Sequence, residues 1–134
     1  MTNIMQKIIT DTVEYGQRLQ LSLSEITFYI TQTKDVRISA KNFSFGDVQK
    51  ICLYSNGVFY ITSQNECTSY WFRFVLNNNN IKDIDYVDNS IKIKYYGLMK
   101  HEYSSEGYVD CSFELIFKNG SDYEKYKCML QNIL

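Results

Sequence analysis

Proline is absent from all 134 residues of this chain, where an average usage of about 5% would supply several. That absence excludes a proline-rich linker, and with the run NNNN at 77–80 and abundant Ile, Lys and Tyr it reads as the coding bias of an AT-rich genome. Histidine is nearly absent too, with His101 alone, and the four cysteines (Cys52, Cys67, Cys111 and Cys128) form no C-x-x-C pair. Structural zinc sites draw their ligands from closely spaced pairs, so this spacing favours free thiols acting as small core hydrophobes, with no metal and no cofactor. No run approaches the roughly 18 apolar residues that a membrane-spanning helix needs. The opening MTNIMQKIITDTVEYGQRLQ lacks the basic start, apolar block and small-residue cleavage site of a signal peptide, so the expected location is cytoplasmic. Charge of either sign is also short: 14 Lys and Arg against 15 Asp and Glu leave a formal −1. This argues against nucleic acid as a partner, which would call for a basic footprint, although it leaves room for a local basic patch.

What is present is apolar and aromatic. Hydrophobic residues make up 45% and aromatic residues 16% of the chain, a globular composition that favours strands. Residues 1–134 are long enough for one domain with one core.

Along the chain the period changes twice. Ile4, Ile8, Thr12, Tyr15 and Leu19 recur at spacings of three and four, which predicts a helix over residues 1–20 ending near Gly16. From 24 to 117 the period is two. Ile26, Phe28 and Ile30 share one face of a strand. The stretch at 33–35 reads as a turn, Val36 and Ile38 as a second strand, and Phe43 and Phe45 as a further alternation. KICLYS and VFYITS flank Asn56-Gly57, which predicts a two-residue type I′ hairpin. The NNNN run reads as a loop, IKDIDYV and SIKIKYY as strands reversed at Asp88-Asn89, and residues 97–107 as the longest loop. In YVDCSFELIF, Val109, Cys111, Phe113, Leu115 and Phe117 face one way. A final helix over 121–134 is expected, with Ser121 as N-cap, Glu124 completing a capping box, and Tyr123, Tyr126, Leu130, Ile133 and Leu134 as its apolar stripe. Phe113, Leu115, Phe117, Tyr126 and Leu130 are expected in the core.

A meander of about seven antiparallel strands closed by one C-terminal helix resembles the pleckstrin-homology (PH) superfold. More narrowly, GVFYITS, IKDIDYVDNSIKIKYY and FELIFKNGSDYEKYKCML, within residues 57–134, are similar to the GRAM and bacterial PH-like branch. The resemblance implies a mainly β (α+β) domain of curled sheets plugged by the last helix, here with an extra N-terminal helix. It also implies an interaction module whose ligands are proteins or phosphoinositide headgroups.

No G-x-S-x-G, P-loop or dinucleotide fingerprint occurs, and DIDYVDN lacks the ligand pattern of a calcium loop. His101, between Lys100 and Glu102, reads as a solvated loop residue, so no catalytic residue is assigned and no enzyme is expected. Lys34, Arg37 and Lys41 in TKDVRISAK are the cations for an anionic membrane surface, with Lys92 and Lys94 able to add to them. Protein binding ranks above lipid binding, with Tyr29, Tyr60, Tyr70 and Tyr96 as the aromatic anchors. A base-stacking nucleic-acid surface ranks third. The expected role is an adaptor or small inhibitor, with a peripheral anionic-lipid binding domain and a phage- or toxin-related inhibitor or immunity protein as the alternatives.

Overall fold

The computed structural model describes residues 16–32, 47–65, 68–102 and 107–134. Eight antiparallel strands precede one helix there: β1 (Arg18–Ser22), β2 (Ile26–Gln32), β3 (Asp47–Tyr54), β4 (Val58–Asn65), β5 (Thr68–Val75), β6 (Ile81–Val87), β7 (Ser90–His101), β8 (Gly107–Phe117) and α1 (Gly120–Ile133). The β-rich architecture closed by a terminal helix is thus as the periodicity predicts.

Strand order is β1-β3-β4-β5-β7-β8-β2, with β6 also on β7. A three-residue turn joins β1 to β2, yet β1 pairs with β3 and β2 with β8. The two ends of the sheet are therefore neighbours in sequence, and the sheet comes round nearly closed. Two strands share one edge of β7: β6 takes its first half and β5 its last residues, from Met99 to His101. Because β5 and β6 both run antiparallel to β7, they run in the same direction along that edge, separated by the NNNN corner.

That corner is built, not slack. The Asn77 Oδ1 accepts from the amides of Asn79 and Asn80 at 2.9 Å each, an Asx turn. Asn80 donates its side-chain amide to the Val75 carbonyl at 2.8 Å and offers its own carbonyl to the Tyr96 amide, tying β5 to β7. Asn78 reaches the carbonyl of Leu134, the last residue.

The core fills the barrel-like interior. Phe113 lies at its centre, with ring centroids 4.9 Å from Phe74, 5.4 Å from Phe59, 5.8 Å from Tyr95 and 6.1 Å from Phe28. Cys111, Leu115 and Phe117 alternate inward beside it, as expected. One end is closed by α1, whose Tyr123, Tyr126, Met129 and Leu130 are buried. Phe117 meets Tyr126 at 5.3 Å, and the Tyr126 hydroxyl donates to the Leu19 carbonyl on β1 at 2.7 Å.

Four local expectations need correction. The N-terminal helix expected over 1–20 lies mostly outside the described residues, but its last residues, from Arg18, are strand β1. Leu19 satisfies a helical stripe and equally a period of two with Leu21, and pairing with β3 decides between them. Asn56-Gly57 is not a type I′ turn, because Gly57 has positive φ (96°) and Asn56 does not; the Gly57 amide donates to the Tyr54 carbonyl at 2.9 Å, closing a three-residue loop. The two-residue hairpin with both φ positive is Asp88-Asn89, at 49° and 56°. Residues 97–101 are not loop but the end of β7, where Gly97 and Met99 continue the inward alternation. The missing side chain at Gly97 hid that period, and it is missing for a reason: a Cβ there would stand 2.6 Å from the Asn80 side chain.

The fourth correction concerns the helix cap. Asn119 caps α1, its Oδ1 accepting from the Asp122 amide at 2.8 Å while its Nδ2 donates to the Asp122 carboxylate at 2.7 Å. Starting the helix two residues before the predicted Ser121 position lets Asp122, not Glu124, occupy the first turn. Asn119→Ala is accordingly expected to cost about 1 kcal/mol, read as a small fall in the thermal midpoint. Ser121→Ala is expected to leave that midpoint unchanged. The predicted turn at 33–35, the strand through Val36 and Ile38, and Phe43 and Phe45 lie outside the described residues.

Candidate binding faces

The outer surface of β2, β8, β7 and β6 carries two of the predicted anchors. Tyr29 is 54% exposed and Tyr96 46%, and they share this face with Tyr108 at 55% and Leu98 at 40%. In a fold that buries most of its large apolar side chains, this surface carries six exposed ones, Val87 and Ile116 included, and Tyr96, Leu98 and Tyr108 adjoin one another there. Cross-strand register explains the grouping: Leu98 pairs with Tyr108, Tyr96 with Asp110, and Tyr29 sits in the row Tyr29–Glu114–Lys92–Asp85. The Tyr96 and Tyr108 rings stack at 6.2 Å, and the Lys82 ammonium lies 5.7 Å from the Tyr96 centroid. Such contacts hold the rings in place before any partner arrives.

Beside the tyrosines is a concavity of about 460 Å³ lined by Tyr29, Thr31, Lys92, Lys94, Ser112 and Glu114. Its charges are mixed: Lys92 and Glu114 approach to 3.5 Å across the strands, and Asp83 and Asp85 face Lys94 and Lys92 in register. The Lys92–Glu114 pair at the surface orients charge and adds little stability.

The other two predicted anchors are elsewhere. Tyr60 is half-buried on the outer face of β4, 5.6 Å from Trp71 and 5.9 Å from Tyr54. Tyr70 faces inward at one end of the sheet, against Phe72 at 5.6 Å and His101 at 5.1 Å. His101 is therefore not a solvated loop residue. It ends β7, half-buried, and burial holds its imidazole below the usual histidine range despite the opposing pull of Glu102. Lys34, Arg37 and Lys41, the membrane-facing cations of the sequence reading, lie outside the described residues, so only Lys92 and Lys94 of that set are placed.

A second concavity, about 500 Å³, runs between β1 and α1, lined by Gln17, Leu19, Ser55, Lys125, Cys128 and Met129. Among the described residues, no group of three or more His, Cys, Asp or Glu side chains is arranged to hold a metal ion, and no helix is long and apolar enough to cross a membrane. Cys111 is buried, and burial pushes its thiol up to about 12, while Cys128 is exposed.

Buried hydroxyls add a pH dependence. Tyr95 is fully buried; its hydroxyl donates to the Leu98 carbonyl and accepts from the Val75 amide, and burial raises its pKa to about 12. Burial also raises Tyr126, with the Cys52, Asp122 and Glu25 charges adding to it. Groups raised in the folded state contribute stability that is complete below their unfolded value, near 10 for tyrosine, and that is lost as pH rises toward the folded value. Unfolding in denaturant should therefore need progressively less denaturant between about pH 10 and 12. Tyrosinate absorbance from Tyr95 and Tyr126 should grow in only together with the loss of near-ultraviolet circular dichroism.

No family model, curated protein or solved structure matches the chain. Its class, a nearly closed antiparallel sheet plugged by one C-terminal helix, rests on the geometry above.

Proposed function

We propose that the chain is a non-enzymatic interaction module of the PH/GRAM-like kind, acting as an adaptor or inhibitor by binding another protein through the outer face of β2, β8 and β7. The observation that carries this reading is the set Tyr29, Tyr96, Leu98 and Tyr108, exposed together on one face, with two of the rings already stacked. Aromatic side chains that are rigid before binding lose little entropy on docking and are enriched at interface centres. The flanking rows of alternating Lys and Asp or Glu suit a partner of mixed charge and would set its register. The feature in favour of the PH-like reading is the curled antiparallel sheet closed by one C-terminal helix; the pairing of β1 with β3 in place of β2 departs from a simple meander.

The test compares the wild-type chain with a Tyr96→Ala/Tyr108→Ala variant of the same thermal stability, each immobilised and exposed to lysate of the source cell. A stoichiometric protein retained by the wild type, and by a Lys125→Ala control on α1, should be lost from the tyrosine variant. Equal retention by the variant, or no stoichiometric partner at all, overturns the reading.

A further inference from the structure

The near-zero net charge conceals an uneven distribution. On the outer face of β1, β3, β4 and β5, the side chains of Arg18, Lys50 and Arg73 point outward, and Lys100 of β7 continues the row Cys52–Tyr60–Arg73–Lys100 across the sheet. Asp47, whose side chain is not among those described, opens β3; the other residues of β1, β3, β4 and β5 include no Asp or Glu. Glu102, just past β7, is the acid at the rim, its amide donating to the Trp71 carbonyl.

Between these cations runs a diagonal of rings: Tyr54 on β3, Tyr60 on β4 and Trp71 on β5, packed edge to face with centroids 5.9 and 5.6 Å apart and planes crossed at 74° and 80°. Each ring is half-buried, so each keeps surface toward solvent. Lys50 lies on one side of the diagonal, in the row Lys50–Thr62–Trp71. Arg73 and Lys100 lie on the other side, and Arg18 is at its end, hydrogen-bonded to the Tyr54 hydroxyl.

We propose that this face binds single-stranded nucleic acid, with bases stacking along Tyr54, Tyr60 and Trp71 and the backbone phosphates meeting Lys50 on one side and Arg73 and Lys100 on the other. Charge complementarity selects an anionic partner, and half-buried aromatic side chains between the cations favour one that carries flat groups on a charged backbone. An acidic peptide or an anionic membrane supplies the charge but not the repeated planar faces. Because no base-edge recognition is evident, the preference should be for unpaired strands of any sequence rather than for one motif. The proposal concerns a different face from the tyrosine patch of β2, β8 and β7, so either can fail without the other.

Trp71 is the single tryptophan of the chain, which makes its emission a reporter of this face alone. Titrating a single-stranded homopyrimidine oligonucleotide into the full chain at low salt should quench Trp71 saturably. The affinity should weaken with salt, and Lys50→Gln and Lys100→Gln should each flatten the dependence of log affinity on log salt by about 0.7. Lys50 is exposed and Lys100 half-buried on the outer face, away from the core, so these variants keep the fold. Trp71→Ala, followed by anisotropy of a labelled oligonucleotide and checked for folding by circular dichroism, should lose at least tenfold in affinity. No quenching at low salt overturns the proposal. So does equal binding of inorganic polyphosphate, which has the charge without the bases, or quenching by vesicles of anionic lipid but not by the oligonucleotide.

Discussion

Phe113→Ala should remove a large part of the molecule's margin of stability, with an expected loss of about 3–5 kcal/mol out of a total of about 5–15. Phe113 is 1% exposed and its ring meets Phe28, Phe59, Phe74 and Tyr95, which come from four different strands. Truncation removes the ring's transfer energy and leaves a cavity whose walls are other rings on fixed strands, which cannot collapse to fill it. A chemical-denaturation midpoint shifted by less than half that amount would mean that the cluster repacks. Phe113→Leu, which restores most of the volume, should recover much of the loss.

Gly57→Ala should be the costliest single methyl addition, roughly 2–4 kcal/mol, from two independent causes. Gly57 sits at φ 96°, a region where a Cβ is strained whatever the space around it. The added carbon would also collide with the Leu76 carbonyl oxygen, a backbone atom that cannot swing aside. That same carbonyl belongs to the residue whose amide bonds to Gly57 at 2.7 Å, so relief of the clash would break the contact between the β3–β4 loop and the NNNN corner. Thermal melts of Gly57→Ala and Asn56→Ala should separate the two positions, with Asn56→Ala much milder because Asn56 does not hold positive φ.

How far the fold could be read from the residues depends on the range of the interaction that decides each feature. Val109, Cys111, Phe113, Leu115 and Phe117 announce a half-buried strand because side chains alternate every two residues whatever the strand pairs with. Tyr123, Tyr126 and Leu130 announce a helix face for the same kind of reason. Turn chemistry was legible only in part. Asn-Gly and Asp-Asn both permit positive φ, and the loop length that register imposes, not the dipeptide, put the two-residue turn at Asp88-Asn89. The end of β7 was hidden because Gly97 has no side chain to show its inward direction, and the reason it must be glycine is Asn80, 17 positions earlier.

Of the four tyrosines expected as anchors, alternation alone could say that each sits on one side of a strand, but not which side faces water. Tyr29 and Tyr96 turn outward, Tyr70 turns inward onto His101, and Tyr60 joins Tyr54 and Trp71. Tyr108, beside Tyr96, was missed because it is the second residue of β8, just after a stretch read as loop; its register partner Leu98 was in that same stretch.

Local order, then, was set by the residues themselves: a run of strands, one domain-sized core, and a last helix beginning at a turn after Phe117. These depend on dihedral preference and side-chain period, which act over a few residues. Three things required the folded chain. They are the pairing of β1 with β3 instead of with its neighbour β2, the sharing of one β7 edge by β5 and β6, and the gathering of Arg18, Lys50, Arg73 and Lys100 onto one face. Each joins residues far apart in sequence, and strand pairing is chosen by the burial of a common core, a quantity that no short stretch of the chain contains.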